Sequence, residues 1–148
     1  MTLENNKREI PLQNAIYFEN IKYGLDHYNN EIVVMNETEA FGFFAKKLKE
    51  AEEGSIFADF YYGALECEAK HIIDAELTEE EQKYVAKLIE ADTEEIIYPL
   101  DHMLLQIIVK LNARATLFST IYFTGEAAKR STWWGNYNQE YIVFTEKE

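Results

Sequence analysis

Two pairs of side chains in the middle of the chain have spacings that enzymes use. Cys67 and His71 are four residues apart, so on a helix a thiol nucleophile would face a general base. Glu68 and His71 have the Glu-x-x-His spacing of di-iron helix bundles, but those sites need a second copy and two further glutamates. We interpret Cys67 and His71 as a buried thiol and a core histidine, and Asp101 beside His102 as an acid at a helix start. We predict no catalytic residue, no metal site and no cofactor.

Aromatic side chains are concentrated near the C-terminus. Trp133, Trp134, Tyr137 and Tyr141 fall within nine residues. On a strand, Trp133 and Trp134 point to opposite faces, so one is expected in the core and the other at the surface. Exposed Trp and Tyr residues dominate interface hot spots and also stack on sugars or bases. The alternative is that these rings pack against one another across a sheet.

Negative charge is distributed very unevenly. The chain has 148 residues and a formal net charge of -13, from 27 acidic and 14 basic residues. Between Glu50 and Asp101 there are 16 acidic and three basic residues, so this segment carries the whole imbalance. Such a surface repels the phosphates of a nucleic acid, and it either attracts a basic protein or simply keeps the chain soluble.

Helices are predicted where apolar residues recur every three to four positions. Asn36 is a suitable N-cap, and Glu39 is placed for a capping box ahead of an apolar stripe. Thr78 is a second N-cap, followed by three glutamates in the first turn. The apolar stretch Ile96–Leu111, with Pro99 in a first helical turn, predicts a central buried helix.

Strands are predicted where β-branched and aromatic residues cluster, or where apolar and charged residues alternate. We predict a hairpin across 55–73, although helix is the competing assignment for 64–73 because Ala, Glu, Leu and Lys favour it. A second hairpin is predicted from Trp133 to Phe144. In residues 12–28 the apolar positions match neither the helical nor the strand periodicity well, and we predict a helix there. Two further strands are predicted at Glu31–Met35 and Leu117–Phe123.

Together these elements predict an α+β fold. We expect a single globular domain over residues 1–148, with an antiparallel or mixed sheet and three to four helices packed on one face. Hydrophobic residues make up 47% of the chain, which is enough for a sizeable core. One cysteine and no apolar N-terminal run predict a cytoplasmic protein without a signal peptide. We expect no membrane span, because the apolar segments are too short.

In size, charge and composition the chain resembles bacterial immunity proteins and antitoxins, which bind basic nuclease or other toxin domains. The resemblance implies a non-enzymatic domain that neutralises a basic protein and does not itself bind nucleic acid. One alternative is a small-ligand-binding domain or enzyme with an aromatic pocket near the C-terminal hairpin. Another is an inhibitor whose carboxylates mimic a nucleic acid. A pocket lined by Trp and Tyr, with a carboxylate of raised pKa inside, would favour the ligand-binding class.

For the first hypothesis, acidic residues steer the partner and aromatic residues supply contact energy. Reversing Glu79–Glu81 to lysine is then expected to slow association and to flatten its salt dependence. The predicted contact residues are Glu79, Glu80, Glu81, Asp92, Glu94, Glu95, Trp133, Trp134 and Tyr137.

Overall fold

A computed structural model describes residues 14–52, 54–91 and 96–147. The strands are β1 (Asn29–Val34), β2 (Ile56–Asp59), β3 (Ile97–Pro99), β4 (Thr120–Phe123), β5 (Ser131–Gly135) and β6 (Glu140–Thr145). The helices are α1 (Ile21–His27), α2 (Glu37–Glu50), α3 (Cys67–Asp74), α4 (Glu79–Ala91) and α5 (His102–Ala113), with short 3-10 turns at Tyr62–Ala64 and Tyr137–Gln139. The α+β fold is therefore confirmed, with five helices in the described ranges rather than three or four.

All six strands join in one antiparallel sheet. Its order is β1-β6-β5-β4-β2-β3, so the first strand lies beside the last, and β1 and β3 form the edges. The closing hairpin predicted from the sequence is present as β5 and β6. The register places Trp134 of β5 between Thr120 of β4 and Ile142 of β6, which aligns these three residues across the sheet.

Helices α2 to α5 form a layer on one face of the sheet. Helix α2 begins with the predicted capping box, since Asn36 Oδ1 accepts from the Glu39 amide at 2.8 Å and Glu39 Oε1 accepts from the Asn36 amide at 3.0 Å. Phe44 of α2 packs edge-on against Trp133 and Tyr141 of the sheet. Helix α5 is the central helix, with Leu104, Leu105, Ile107, Ile108 and Leu111 all buried. None of the helices in the described ranges combines the length and apolar character needed to cross a membrane.

The opposite face of the sheet is covered by the chain before β1, which the sequence did not lead us to expect. Ile16 and Phe18 are buried against Phe144 of β6, and helix α1 follows them. A Cβ atom on Gly24 of α1 would lie 2.2 Å from the Phe18 ring, so only glycine permits this approach. Thr132 of β5 also holds the segment, because its Oγ1 donates to the Ile16 carbonyl oxygen at 2.5 Å.

The hairpin predicted across 55–73 is wrong. Strand β2 ends at Asp59, and after a 3-10 turn the chain forms helix α3 instead of a second strand. Within α3, Cys67 and His71 are exposed and Ile73 is buried, so the alternation in sequence does not mark the two faces of a strand. The competing assignment was correct because helix-favouring residues outweigh a short period-two pattern. The interpretation of Cys67 and His71 as core residues is also wrong.

Two boundaries differ from the prediction. Pro99 lies in the edge strand β3 and not in a helix, which suits a residue that has no N–H to donate to a neighbouring strand. Helix α5 begins after it, where Asp101 Oδ1 accepts from the Leu104 amide at 2.8 Å. In the described part of 12–28, the helix is confined to Ile21–His27.

Candidate binding cleft

An open cleft of about 570 Å³ lies on the sheet face opposite the helical layer. Successive residues of a strand point to opposite faces. Ala58 belongs to the core beneath the helices, so Asp59 points to the other side. In the same way Trp133 faces the helices and Trp134 faces the cleft. The aromatic residues of the lining are Tyr17, Phe18, Tyr61, Phe118, Tyr122 and Trp134.

Asp59 is the buried acid of the cleft. Its residue is 7% exposed, and its Oδ1 accepts a hydrogen bond from the Thr120 amide at 2.9 Å. Burial raises the pKa of Asp59 to about 6, and the hydrogen bonds from Thr120 offset only part of that effect. The ion pairs formed among the described residues do not include Asp59. Near neutral pH the carboxylate is therefore ionised, poorly solvated and without a protein cation from those ranges.

Aromatic rings form the walls around this acid. The ring centroids of Tyr17 and Tyr122 are 6.0 Å apart, and the rings are tilted by 43°. Trp134 is held from one side by Phe18, whose ring stacks on it at 5.3 Å. The faces of Tyr and Trp rings carry negative electrostatic potential and attract cations.

The tyrosines near Asp59 keep their protons at neutral pH. Burial raises the pKa of Tyr122, and the charge of Asp59 raises it further. The same two causes raise the pKa of Tyr61. The described residues that line the cleft include no Lys, Arg or His, and Glu19 is a second acid among them. The cleft therefore presents carboxylates and neutral rings, which together create a negative potential.

This arrangement suits the binding of a cation. A carboxylate within an aromatic wall binds a cation through a charge-assisted hydrogen bond and through the ring faces. The described lining residues include no Cys, His, Lys or Ser, and the groups among them that could act as nucleophiles are carboxylates and hydroxyls. A carboxyl group with a pKa of about 6 is nevertheless in the range that general acid–base catalysis uses.

Two of the predicted contact residues lie at this cleft. Trp134 lines it, and Tyr137 stands beside it with its ring 4.8 Å from that of Phe118 and 63% of its surface exposed. Trp133 packs instead in the helical core, where its ring lies 5.3 Å from Phe44. The tryptophan available to a ligand in the cleft is therefore Trp134.

The predicted acidic contact residues lie apart from the cleft or outside the described residues. Glu79 and Glu80 are exposed in the first turn of α4, in the helical layer on the other side of the sheet. Asp92, Glu94 and Glu95 lie outside the described ranges. The structure thus does not bring Glu79 and Glu80 together with Trp134 in one contact patch.

Glu81 serves the fold rather than an exposed surface, which corrects its prediction as a steering residue. Its residue is fully buried, and its carboxylate accepts from Lys110 Nζ at 2.5 Å and from Gln106 Nε2 at 2.8 Å. It also closes a capping box with Thr78, whose amide donates to Glu81 Oε1 at 2.8 Å. Burial alone would raise the pKa of Glu81, but these hydrogen bonds outweigh it and hold the pKa below its usual value.

The residue pairs with enzyme-like spacing lie outside the cleft at Asp59. Cys67 and His71 are one turn apart on the exposed side of α3. Asp101 is occupied as the N-cap of α5, and it accepts a hydrogen bond from the Tyr84 hydroxyl at 2.8 Å. Within the described ranges, no group of three His, Cys, Asp or Glu side chains is arranged to hold a metal ion.

Sequence reasoning missed Asp59 and the tyrosines around it. One signal was present, because Asp59 is a single acid inside the aromatic run IFADFYY, and an acid in a buried strand needs an explanation. Tyr17 and Tyr122 carry no such signal, because they are far from Asp59 in sequence and meet it only in the folded sheet. Comparisons with family models, with curated proteins and with solved structures find no match for the chain. A proposal for its function therefore rests on the geometry of this cleft.

Proposed function

We propose that this protein is a non-enzymatic binding domain that takes a positively charged group of a basic protein partner into the cleft at Asp59. The observation that carries the proposal is a buried carboxylate, 7% exposed, beside aromatic walls and outside the ion pairs of the described residues. A cation in the cleft would replace the solvation that the carboxylate has lost and would contact the ring faces. Binding therefore offsets the unfavourable free energy of holding a poorly solvated carboxylate in the free protein.

Net charge supports a basic partner. A formal net charge of -13 attracts cationic proteins over a distance and speeds their association at low salt. In the proposal, Glu79 and Glu80 contribute to this long-range attraction, since they lie in the helical layer and not beside Asp59. Contact energy comes from the cleft.

The surface next to the cleft supports a protein partner rather than a small molecule alone. The row of residues that contains Trp134 continues across the sheet through Ile142 to Ile32 on the edge strand. Ile32 is 62% exposed, and Tyr137 beside Phe118 is 63% exposed. A protein seated on the cleft would cover these apolar side chains, whereas a small molecule would leave them in water.

A second candidate function is a site for a small cationic molecule in the same cleft, with or without acid–base chemistry. The pKa of about 6 at Asp59 favours this candidate, because such a carboxyl exchanges protons near neutral pH. The two candidates differ in their use of Tyr137. Replacing Tyr137 by Ala should weaken the binding of a protein and leave a small ligand unaffected.

The proposal is tested by affinity capture from a lysate of the source cells with three forms of the protein. Asp59→Asn removes the charge and keeps an acceptor for the Thr120 amide, and Glu79→Gln removes one charge from the helical layer. A basic protein captured by the wild type and by Glu79→Gln, but not by Asp59→Asn, is the expected result. Equal capture by all three forms would place the contact elsewhere and overturn the proposal.

A further inference from the structure

We propose that the cleft at Asp59 selects a primary alkylammonium, the group at the end of a lysine side chain, over a guanidinium. This inference rests on the proposed function, because it names the group of the partner that enters the cleft. It is carried by how the Asp59 carboxylate is held and by where the aromatic rings stand relative to it.

The first argument concerns the oxygen atoms of Asp59. A guanidinium gains its advantage by donating two parallel hydrogen bonds to both oxygens of one carboxylate. Asp59 Oδ1 is already engaged by the Thr120 amide at 2.9 Å, and the carboxylate is buried against β4. The paired geometry is therefore obstructed. An ammonium needs only one oxygen at a time, because it is a compact charge with donors in three directions.

The second argument concerns depth. Asp59 is 7% exposed, whereas Tyr17 and Tyr61 at the rim are 42% and 40% exposed. A ligand that reaches the acid must therefore carry its charge at the end of a stem that passes between the rings. A chain of methylene groups suits that path, since it buries apolar surface against the rings while the head group meets the carboxylate.

The third argument is a contrast within the molecule. A groove of about 660 Å³ on another part of the surface is lined by Glu50, Glu52 and Glu126, but also by Lys47 and Lys129. Its acids already have lysines of the same chain nearby. Among the described residues, the lining of the Asp59 cleft has acids and no basic residue, so its acids have no lysine or arginine from that part of the chain beside them.

The test is a titration of the whole isotope-labelled protein, monitored through its amide NMR signals. The Thr120 amide is the reporter because it donates to Asp59. The probes are n-butylammonium, n-propylguanidinium and butyrate, followed by N-acetyl-lysine amide and N-acetyl-arginine amide. We expect the two ammonium probes to shift the Thr120 signal with a dissociation constant of about 1 mM. The guanidinium probes should bind about tenfold more weakly. Butyrate should cause no shift.

Two variants locate the binding. Asp59→Asn should weaken butylammonium binding by about tenfold or more, because it removes the charged acceptor. Glu126→Gln removes one charge from the other groove and should leave binding unchanged. Spectra of the free variants show whether each is folded. If Asp59→Asn is unfolded, Tyr61→Ala, which removes one wall at the rim, serves in its place and should also weaken binding.

The outcomes separate the inference from the proposed function. Guanidinium probes that bind as tightly as ammonium probes overturn the selectivity and leave a basic partner possible through arginine. Butylammonium binding without N-acetyl-lysine amide binding supports the alkylammonium site and counts against a protein side chain as its occupant. Shifts that survive in Asp59→Asn, or no shift with any cation, overturn the inference at this cleft.

Discussion

Asp59 Oδ1 lies 2.9 Å from the backbone nitrogen of Thr120, just beyond the last registered pair of β2 and β4, Ala58 opposite Ile121. The carboxylate thus accepts a hydrogen bond from a main-chain amide at the point where the strand pairing ends. The Asp59 side chain therefore extends the contact between the two strands and is also the buried acid of the cleft. Asn can replace the acceptor but not the charge, and this difference makes Asp59→Asn informative in every experiment on the site.

Asp59→Asn should stabilise the free protein at neutral pH. Because the pKa of Asp59 is raised to about 6, the folded state holds this proton more tightly than the unfolded state does. The contribution of Asp59 to stability is therefore greatest below its unfolded pKa and is lost as pH rises through about 6. We expect the free energy of unfolding of Asp59→Asn to exceed that of the wild type by about 1–3 kcal/mol at about pH 7.5 and to equal it at about pH 3.5.

Urea unfolding at the two pH values measures this difference. In the part of the chain that the structure describes, the other ionisable groups that face the site are Tyr17, Glu19, Tyr61 and Tyr122. Glu19→Gln is the matched control, because it removes the second acid of the cleft and should not reproduce the pH dependence. A difference between Asp59→Asn and the wild type that does not change with pH would contradict the expected cost of the buried charge.

Glu81→Gln should destabilise the fold. The substitution leaves Lys110, whose side chain is only 12% exposed, without its partner. Removing one member of such a buried pair costs about 3–5 kcal/mol at pH 7, measured by urea unfolding. Because the pKa of Glu81 is lowered, its contribution is present above the pKa of an unfolded glutamate and is lost as pH falls through the lower folded value.

A double variant isolates the cause of that loss. Replacing Lys110 by Met together with Glu81→Gln should recover much of the stability, since no unpaired charge remains. Glu80→Gln, on the exposed side of the same helix turn, should change stability by less than about 0.5 kcal/mol. Equal effects of Glu80→Gln and Glu81→Gln would mean that the ion pair has no structural role.

Two helical glycines should respond to alanine with opposite signs. Gly24→Ala places a methyl group 2.2 Å from the Phe18 ring and should cost about 1–3 kcal/mol. In Gly42→Ala the added methyl group meets no atom within 4 Å beyond the adjacent residues and the backbone of its own helix, and it should stabilise α2 by about 0.5–1 kcal/mol. Thermal unfolding measures both. Gly24→Ala should also change Trp134 fluorescence, because Phe18 stacks on Trp134; stabilisation by Gly24→Ala would contradict the packing of Phe18.

Trp134 should be quenched more by a cationic than by an anionic quencher. Its cleft contains Asp59 and Glu19 and no basic residue among the described lining. In Trp133→Phe, which leaves Trp134 as the fluorophore, caesium should therefore quench more effectively than iodide. Asp59→Asn in that background should reduce the preference. Each ion is compared with its quenching of free N-acetyl-tryptophan amide, and a caesium-to-iodide ratio no higher than for that compound would show that the cleft is not negative.

Short-range features of the fold could be predicted because their causes lie within a few residues. The N-caps at Asn36 and Thr78 and the capping box of Asn36 with Glu39 are confirmed, and Thr78 forms a second capping box with Glu81 that was not predicted. The hairpin of β5 and β6 follows from a strand pattern around a turn. Segment 64–73 was misassigned because a short alternating pattern does not separate helix from strand.

The sequence by itself determined the α+β fold, the helix starts at Asn36 and Thr78, the charge of -13 and an aromatic C-terminal hairpin. Only the tertiary structure decided which of these residues meet. Packing brings Tyr17, Asp59 and Tyr122 to one cleft, and it decides that Trp133 faces the helical core while Trp134 faces the cleft. It also buries Glu81 while its neighbours stay exposed. Long-range pairing, and the burial of a polar residue such as Glu81, are properties of the packed chain that no local apolar pattern encodes.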